Sequence, residues 1–85
     1  MVNKSIHNKE YKTVIRLLRN VREERGITQG QLAELLGCSQ TVISKIETSE
    51  RRLDIIELRK ICMLLNISFI DFITLVERSL ADDRS

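Results

Sequence analysis

Thr28-Gln29-Gly30-Gln31-Leu32-Ala33-Glu34-Leu35-Leu36-Gly37-Cys38-Ser39-Gln40-Thr41-Val42-Ile43-Ser44-Lys45-Ile46-Glu47 contains two short apolar-periodic segments separated by a glycine-headed turn. Thr28 and Gln31 have capping-box spacing. The Thr28 hydroxyl can accept the amide three residues on, the Gln31 side chain can reach back to the amide of Thr28, and Ile27 with Leu32 supplies the flanking hydrophobic staple. This predicts a helix that starts after Thr28 and runs to Leu36, where Gly37 takes the left-handed stop. Ser39 is a suitable N-cap for a second helix, Gln40 to about Thr48, with Val42, Ile43 and Ile46 as its apolar stripe. Two short helices joined so tightly cross steeply, which is the helix-turn-helix arrangement. Ala33 falls where they approach most closely, and Leu32, Leu36, Cys38, Ile43 and Ile46 point inward. Gln40, Thr41, Ser44 and Lys45 are thereby left on the outer face.

The flanks continue the helical pattern. Tyr11, Val14, Leu18 and Val21 recur at three- and four-residue steps, predicting a helix from about Lys9 to Arg25 with Gly26 as its stop. Ser49–Leu53 is polar, carries Arg51 and Arg52, and reads as a loop. Asp54 with Glu57 signals the start of a fourth helix, whose buried face is Leu58, Ile61, Cys62 and Leu65 and whose stop is Asn66. Ser68 caps a fifth, with Asp71 in its first turn, Ile67 stapled to Phe72, and Phe69, Phe72, Ile73, Val76 and Leu80 apolar. Proline is absent, glycine is scarce and no strand alternation occurs. The expected class is therefore all-α, a compact bundle of five helices over residues 10–80, with a flexible N-terminal arm at 1–9 and a flexible tail at 81–85.

Composition bounds the function. A chain of 85 residues, 42% hydrophobic and 31% charged, makes one domain, too apolar for a disordered chain and too polar for a membrane one. Its longest apolar run, Ile61–Leu65, falls far short of the ~20 residues of a spanning helix. Met1–Glu10 lacks the apolar stretch of a signal peptide, so the expected location is cytoplasmic. Charge is uneven: net +4 over residues 1–25, zero over 26–52 and −2 over 53–85. The pI of 8.7 permits nucleic-acid binding without demanding it. Cys38 and Cys62 lack metal-ligand spacing and read as small buried hydrophobes, so neither a metal nor a cofactor is expected. Asn3-Lys4-Ser5 and Asn66-Ile67-Ser68 match the glycosylation pattern by chance, and Gly26 with Gly30 matches GxxxG in a polar segment where a membrane-dimer argument has no force. An enzyme is disfavoured, because no nucleophile–base–acid set converges, no Gly-rich phosphate loop is present, and the single histidine, His7, lies in the polar arm.

The Thr28–Glu47 stretch resembles the Cro/repressor-type (lambda-repressor-like, Xre) helix-turn-helix family. The resemblance extends from about Leu18 to Ile73, through Arg22…Gly26-Ile27-Thr28-Gln29 on one side and Leu58…Ile61-Cys62…Leu65-Asn66-Ile67-Ser68 on the other. It implies a lambda-repressor-like bundle of five helices and sequence-specific binding of double-stranded DNA, with the helix after the turn in the major groove. Carried over by position, Gln40, Thr41, Ser44 and Lys45 become the base-contacting set. Gln can pair bidentately with adenine, a Thr methyl can touch the thymine methyl, and Lys can donate to guanine O6/N7. The corresponding phosphate contacts would come from Gln29, Ser39, Ser49, Arg51 and Arg52. The family also implies an ion pair between Arg22 and Glu47. The sequence departs from the family in having Thr48-Ser49 for the usual Asn-Gly, no proline in the following loop, and Asn66 for a glycine.

One such helix contacts too few bases to select a genomic site, so a homodimer on two-fold related half-sites is expected. Met63, Ile67, Phe69, Ile70 and Ile73 carry more apolar surface than one side of a small core can take and form the expected dimer seam. The leading reading is a transcriptional regulator, a repressor. The rival class is a protein-interaction module, such as an antitoxin that uses the apolar surplus of the last two helices to hold a partner protein.

Overall fold

The computed structural model describes residues 8–84. Most of the arm expected at 1–9, together with Ser85, lies outside the described residues. Five helices follow one another: α1 (Lys9–Glu24), α2 (Gln29–Leu36), α3 (Gln40–Glu47), α4 (Ile55–Leu64) and α5 (Phe69–Arg84). No strand occurs among the described residues, so the fold is all-α. Helix α5 continues through residues 81–84, beyond the boundary placed at residue 80.

At four of the five helix starts a side chain satisfies amides that the helix itself cannot. Asn8 accepts from the amides of Glu10 and Tyr11 at 2.7 and 3.2 Å. Both halves of two capping boxes form, Thr28 with Gln31 at 3.0 and 2.9 Å and Asp54 with Glu57 at 2.8 and 3.1 Å. Ser68 Oγ accepts the Asp71 amide at 3.0 Å. The start of α3 differs from expectation. Ser39 has the extended backbone of an N-cap, yet its side chain makes no cap bond. The Val42 amide that Oγ would take is bonded to the Ser39 carbonyl at 3.1 Å.

The four helix ends share one device. After α1, the amides of Gly26 and Ile27 bond back to the carbonyls of Glu23 and Arg22. The same paired bonds recur at Gly37–Cys38, Ser49–Glu50 and Asn66–Ile67. The first residue of each pair is left-handed, with φ of 71°, 75°, 63° and 64°. This is the Schellman stop, and in three of the four the second residue is apolar and packs on the core. Arg25 adds a further tie, its Nε donating to the Leu65 carbonyl at the end of α4 at 3.0 Å.

The core is one cluster fed by every helix: Leu17, Leu18 and Val21 of α1, Leu32 and Ala33 of α2, Ile43 of α3, Leu58, Ile61 and Cys62 of α4 with Leu65 just beyond it, and Phe72 and Val76 of α5. Ala33 is almost fully buried, as the close approach of α2 to α3 requires. Leu36 and Cys38 are half-buried against the same cluster. Burial pushes the Cys62 thiol up to about 11, so it stays protonated and inert at neutral pH. Helix α1 lies against both α3 and α5, while α4 backs α2.

Candidate nucleic-acid interface

Helix α3 buries Ile43 and Ile46 and turns its other face outward. Gln40, Thr41 and Lys45 are exposed there, Ser44 is half-buried, and Ser39 is exposed at the helix start. Gln40 lies over the first turn of α2, its Oε1 3.6 Å from where a Cβ on Gly30 would stand. The start of α3 and the first turn of α2 thus meet in one polar surface.

The far end of α3 is fixed by a buried polar network. Arg22 Nε donates to Glu47 Oε2 at 2.7 Å and Nη2 to Oε1 at 3.0 Å, a bidentate pair whose side chains are only 8% and 6% exposed. Arg22 Nη1 donates to the Ile27 carbonyl at 2.7 Å, and Gln29 Nε2 donates to Glu47 Oε1 at 2.9 Å. One carboxylate and one guanidinium therefore join α1, the start of α2 and the end of α3, with their bonding capacity largely filled. Gln29, expected at a phosphate, has its side-chain amide committed to this network.

The loop after α3 is similarly constrained. The amides of Glu50 and Arg51 both bond to the Lys45 carbonyl, at 2.8 and 3.1 Å. The Thr48 hydroxyl donates to the Ser44 carbonyl at 3.1 Å. Ser49, at the left-handed position, is only 6% exposed, so this residue offers the surface a turn of backbone more than a hydroxyl. Arg51 pairs with Glu57 at 2.9 Å. Its hydrogen bond, with help from the Asp54 amide, holds the Glu57 carboxyl below the usual carboxylate range. Arg52 is exposed and has no side-chain partner among the described residues. The residues that face solvent unencumbered are thus Ser39, Gln40, Thr41, Lys45 and Arg52.

Tyr11 has a role that the sequence pattern did not reveal. Its hydroxyl accepts the Leu53 amide at 2.9 Å and pins the loop to the start of α1. The only available signal was a tyrosine where the α1 stripe could have carried an aliphatic residue. In α4, α5 and the turn between them, Met63 and Ile70 are 60% and 77% exposed and Ile73 is also exposed, while Ile67 and Phe69 are half-buried against the core. No group of three or more His, Cys, Asp or Glu among the described residues could hold a metal, and no helix among them is long and apolar enough to cross a membrane.

Two short helices packed closely on each other across a tight glycine-headed turn, one with a polar outer face, in a bundle with three further helices, define a helix-turn-helix domain. A helix-turn-helix family model matches residues 18–72. An XRE-family like protein from Pseudomonas syringae pv. tomato str. DC3000 superposes with a TM-score of 0.81 at 38% identity, over 89% of this chain and 93% of that one. No curated protein matches the sequence. The chain belongs to the XRE-type helix-turn-helix family, a family of DNA-binding transcription regulators that is typically non-enzymatic.

Proposed function

We propose that the protein is a repressor that binds double-stranded DNA sequence-specifically as a homodimer and reads the major groove with α3. The observation that carries this reading is the division of α3, which buries Ile43 and Ile46 and turns Gln40, Thr41 and Lys45 to solvent on a helix whose far end is locked by Arg22 and Glu47. Gln40 has the paired donor and acceptor that adenine presents in the major groove, Lys45 suits guanine O6/N7, and Thr41 brings a methyl and a hydroxyl. Ser44, half-buried, adds a short hydroxyl at the groove edge. Ser39 and Arg52 flank this set at the start of α3 and on the exit loop, where phosphates of the two groove walls would lie. Arg51 serves more as a brace for the loop through Glu57 than as a contact. Bound across a promoter, such a dimer would repress by excluding the polymerase.

Selection of sites from a random duplex pool tests the reading and reports half-site spacing. On the selected site, Gln40→Ala should cost about 1–3 kcal/mol and relax preference at one base pair. Arg52→Ala should weaken all sequences alike and reduce the salt slope by about one unit. Equal loss on selected and random DNA by both variants would overturn the assignment of Gln40 as a reader.

A further inference from the structure

We propose that the exposed basic ridge of α1, formed by Lys9, Lys12, Arg16 and Arg19, is a second phosphate-binding surface that grips the DNA backbone flanking the stretch read by α3. The proposal rests on the DNA-binding reading above. The four cations recur at three- and four-residue steps, so they lie in one row, and all four are exposed. They wall a groove of about 450 Å³ whose other side is the end of α3, Glu47, Thr48 and Ser49. The ridge is therefore continuous with the surface proposed to meet DNA.

Its position is also fixed. Arg22 and Glu47 clamp one end of α1 to α3, and Tyr11 with the Leu53 amide clamps the other end to the exit loop that carries Arg52. The one carboxylate lining the groove, Glu47, is already neutralised by Arg22, so it does not oppose an anion there. Arg19 bonds Glu23 at 3.2 Å with both side chains about half exposed, a solvated pair that a phosphate can replace at little cost. From Lys9 to Arg19 the helix rises ~15 Å, the axial length of about four nucleotides of one strand. A row of point charges of that length fits a phosphate chain better than an acidic polypeptide, which would need apolar anchors beside its charges.

The test is a salt titration of DNA affinity with the full chain, on the selected site with one extra helical turn of duplex on each side and on the same site trimmed of those flanks. Lys12→Ala with Arg16→Ala should flatten the log affinity–log salt slope by about two units on the long duplex. Selected and scrambled long sequences should lose affinity by the same factor, several-fold or more. On the trimmed duplex the double variant should match the unaltered chain, and Lys12→Arg with Arg16→Lys should restore the slope on the long one. Thermal unfolding by circular dichroism checks that the variants keep the fold. An unchanged slope on the long duplex overturns the proposal while leaving DNA reading by α3 intact. Failure of the unaltered chain to bind any duplex overturns both. Binding of a polyglutamate peptide that the double variant loses, with DNA slopes unchanged, would assign the ridge to an acidic polypeptide and overturn it as well.

Discussion

Arg22 and Glu47 show how one pair of side chains can determine the presentation of a surface that neither of them forms. Their charges are nearly excluded from water, so their mutual attraction is offset by desolvation, and the net gain over apolar residues is small. Removing one partner is different, because it strands the other. Glu47→Ala should destabilise the fold by ~3–5 kcal/mol, since Arg22 and the Gln29 amide both lose their acceptor. Arg22→Met with Glu47→Leu should recover much of that, short by about 1–2 kcal/mol for the Ile27 carbonyl that Arg22 also serves and the Gln29 amide that Glu47 also takes. A double-mutant cycle by urea unfolding checks both values, and a coupling energy near zero would sink the argument. The residue types of the outer face of α3 were legible in the sequence, because caps and stripe fix which side of a short helix is buried. What Gln29, Arg51 and Tyr11 do was not. Each finds its partner through a rotamer and a tertiary approach, in the case of Tyr11 a partner 42 positions away. Residue type alone cannot say whether an arginine meets a phosphate or a neighbouring glutamate.

Helix boundaries were the most legible feature, because the signals are local. Thr28 with Gln31, Asp54 with Glu57, and the glycines at 26 and 37 each act within a few residues of themselves. The failure at Ser39 is equally instructive: an N-cap residue type was present, but the backbone took the amide first. The exit of α3 is where sequence and geometry strain against each other. Ser49 holds the same left-handed conformation as Gly26 and Gly37 but carries a Cβ, which costs about 1–2 kcal/mol. A glycine there would remove that strain and give back about 0.5–1 kcal/mol through its freer unfolded chain. Ser49→Gly should therefore stabilise the domain by about 0.5–1 kcal/mol, seen as a higher urea midpoint with an unchanged slope. A lower midpoint would mean that the buried Ser49 side chain contributes more than the strain costs.

At the scale of the molecule two exposed surfaces differ in kind, the polar outer face of α3 with the basic row of α1, and an apolar strip of Ile70 and Ile73 at the start of α5. For the proposed dimer, whose seam would be Ile70 and Ile73 with Met63, Ile67 and Phe69 at the margins, the two α3 helices must stand about 34 Å apart to enter successive major grooves. Sedimentation at tens of micromolar should give a dimer, and Ile70→Glu should give a folded monomer with weakened binding to two-half-site DNA. A monomer for the unaltered chain would overturn the seam. The packing of α1 against α5 has one more consequence. The cluster begun by Leu17, Leu18 and Val21 is closed by Phe72 and Val76, so the first described helix is completed by the last. During synthesis, α2 and α3 leave the ribosome before the ring that seals the core beneath them. A nascent chain that stops short of Phe72 carries every residue of the proposed recognition surface but lacks the side chains that close the core beneath it, so on this reading DNA binding waits until α5 has been translated.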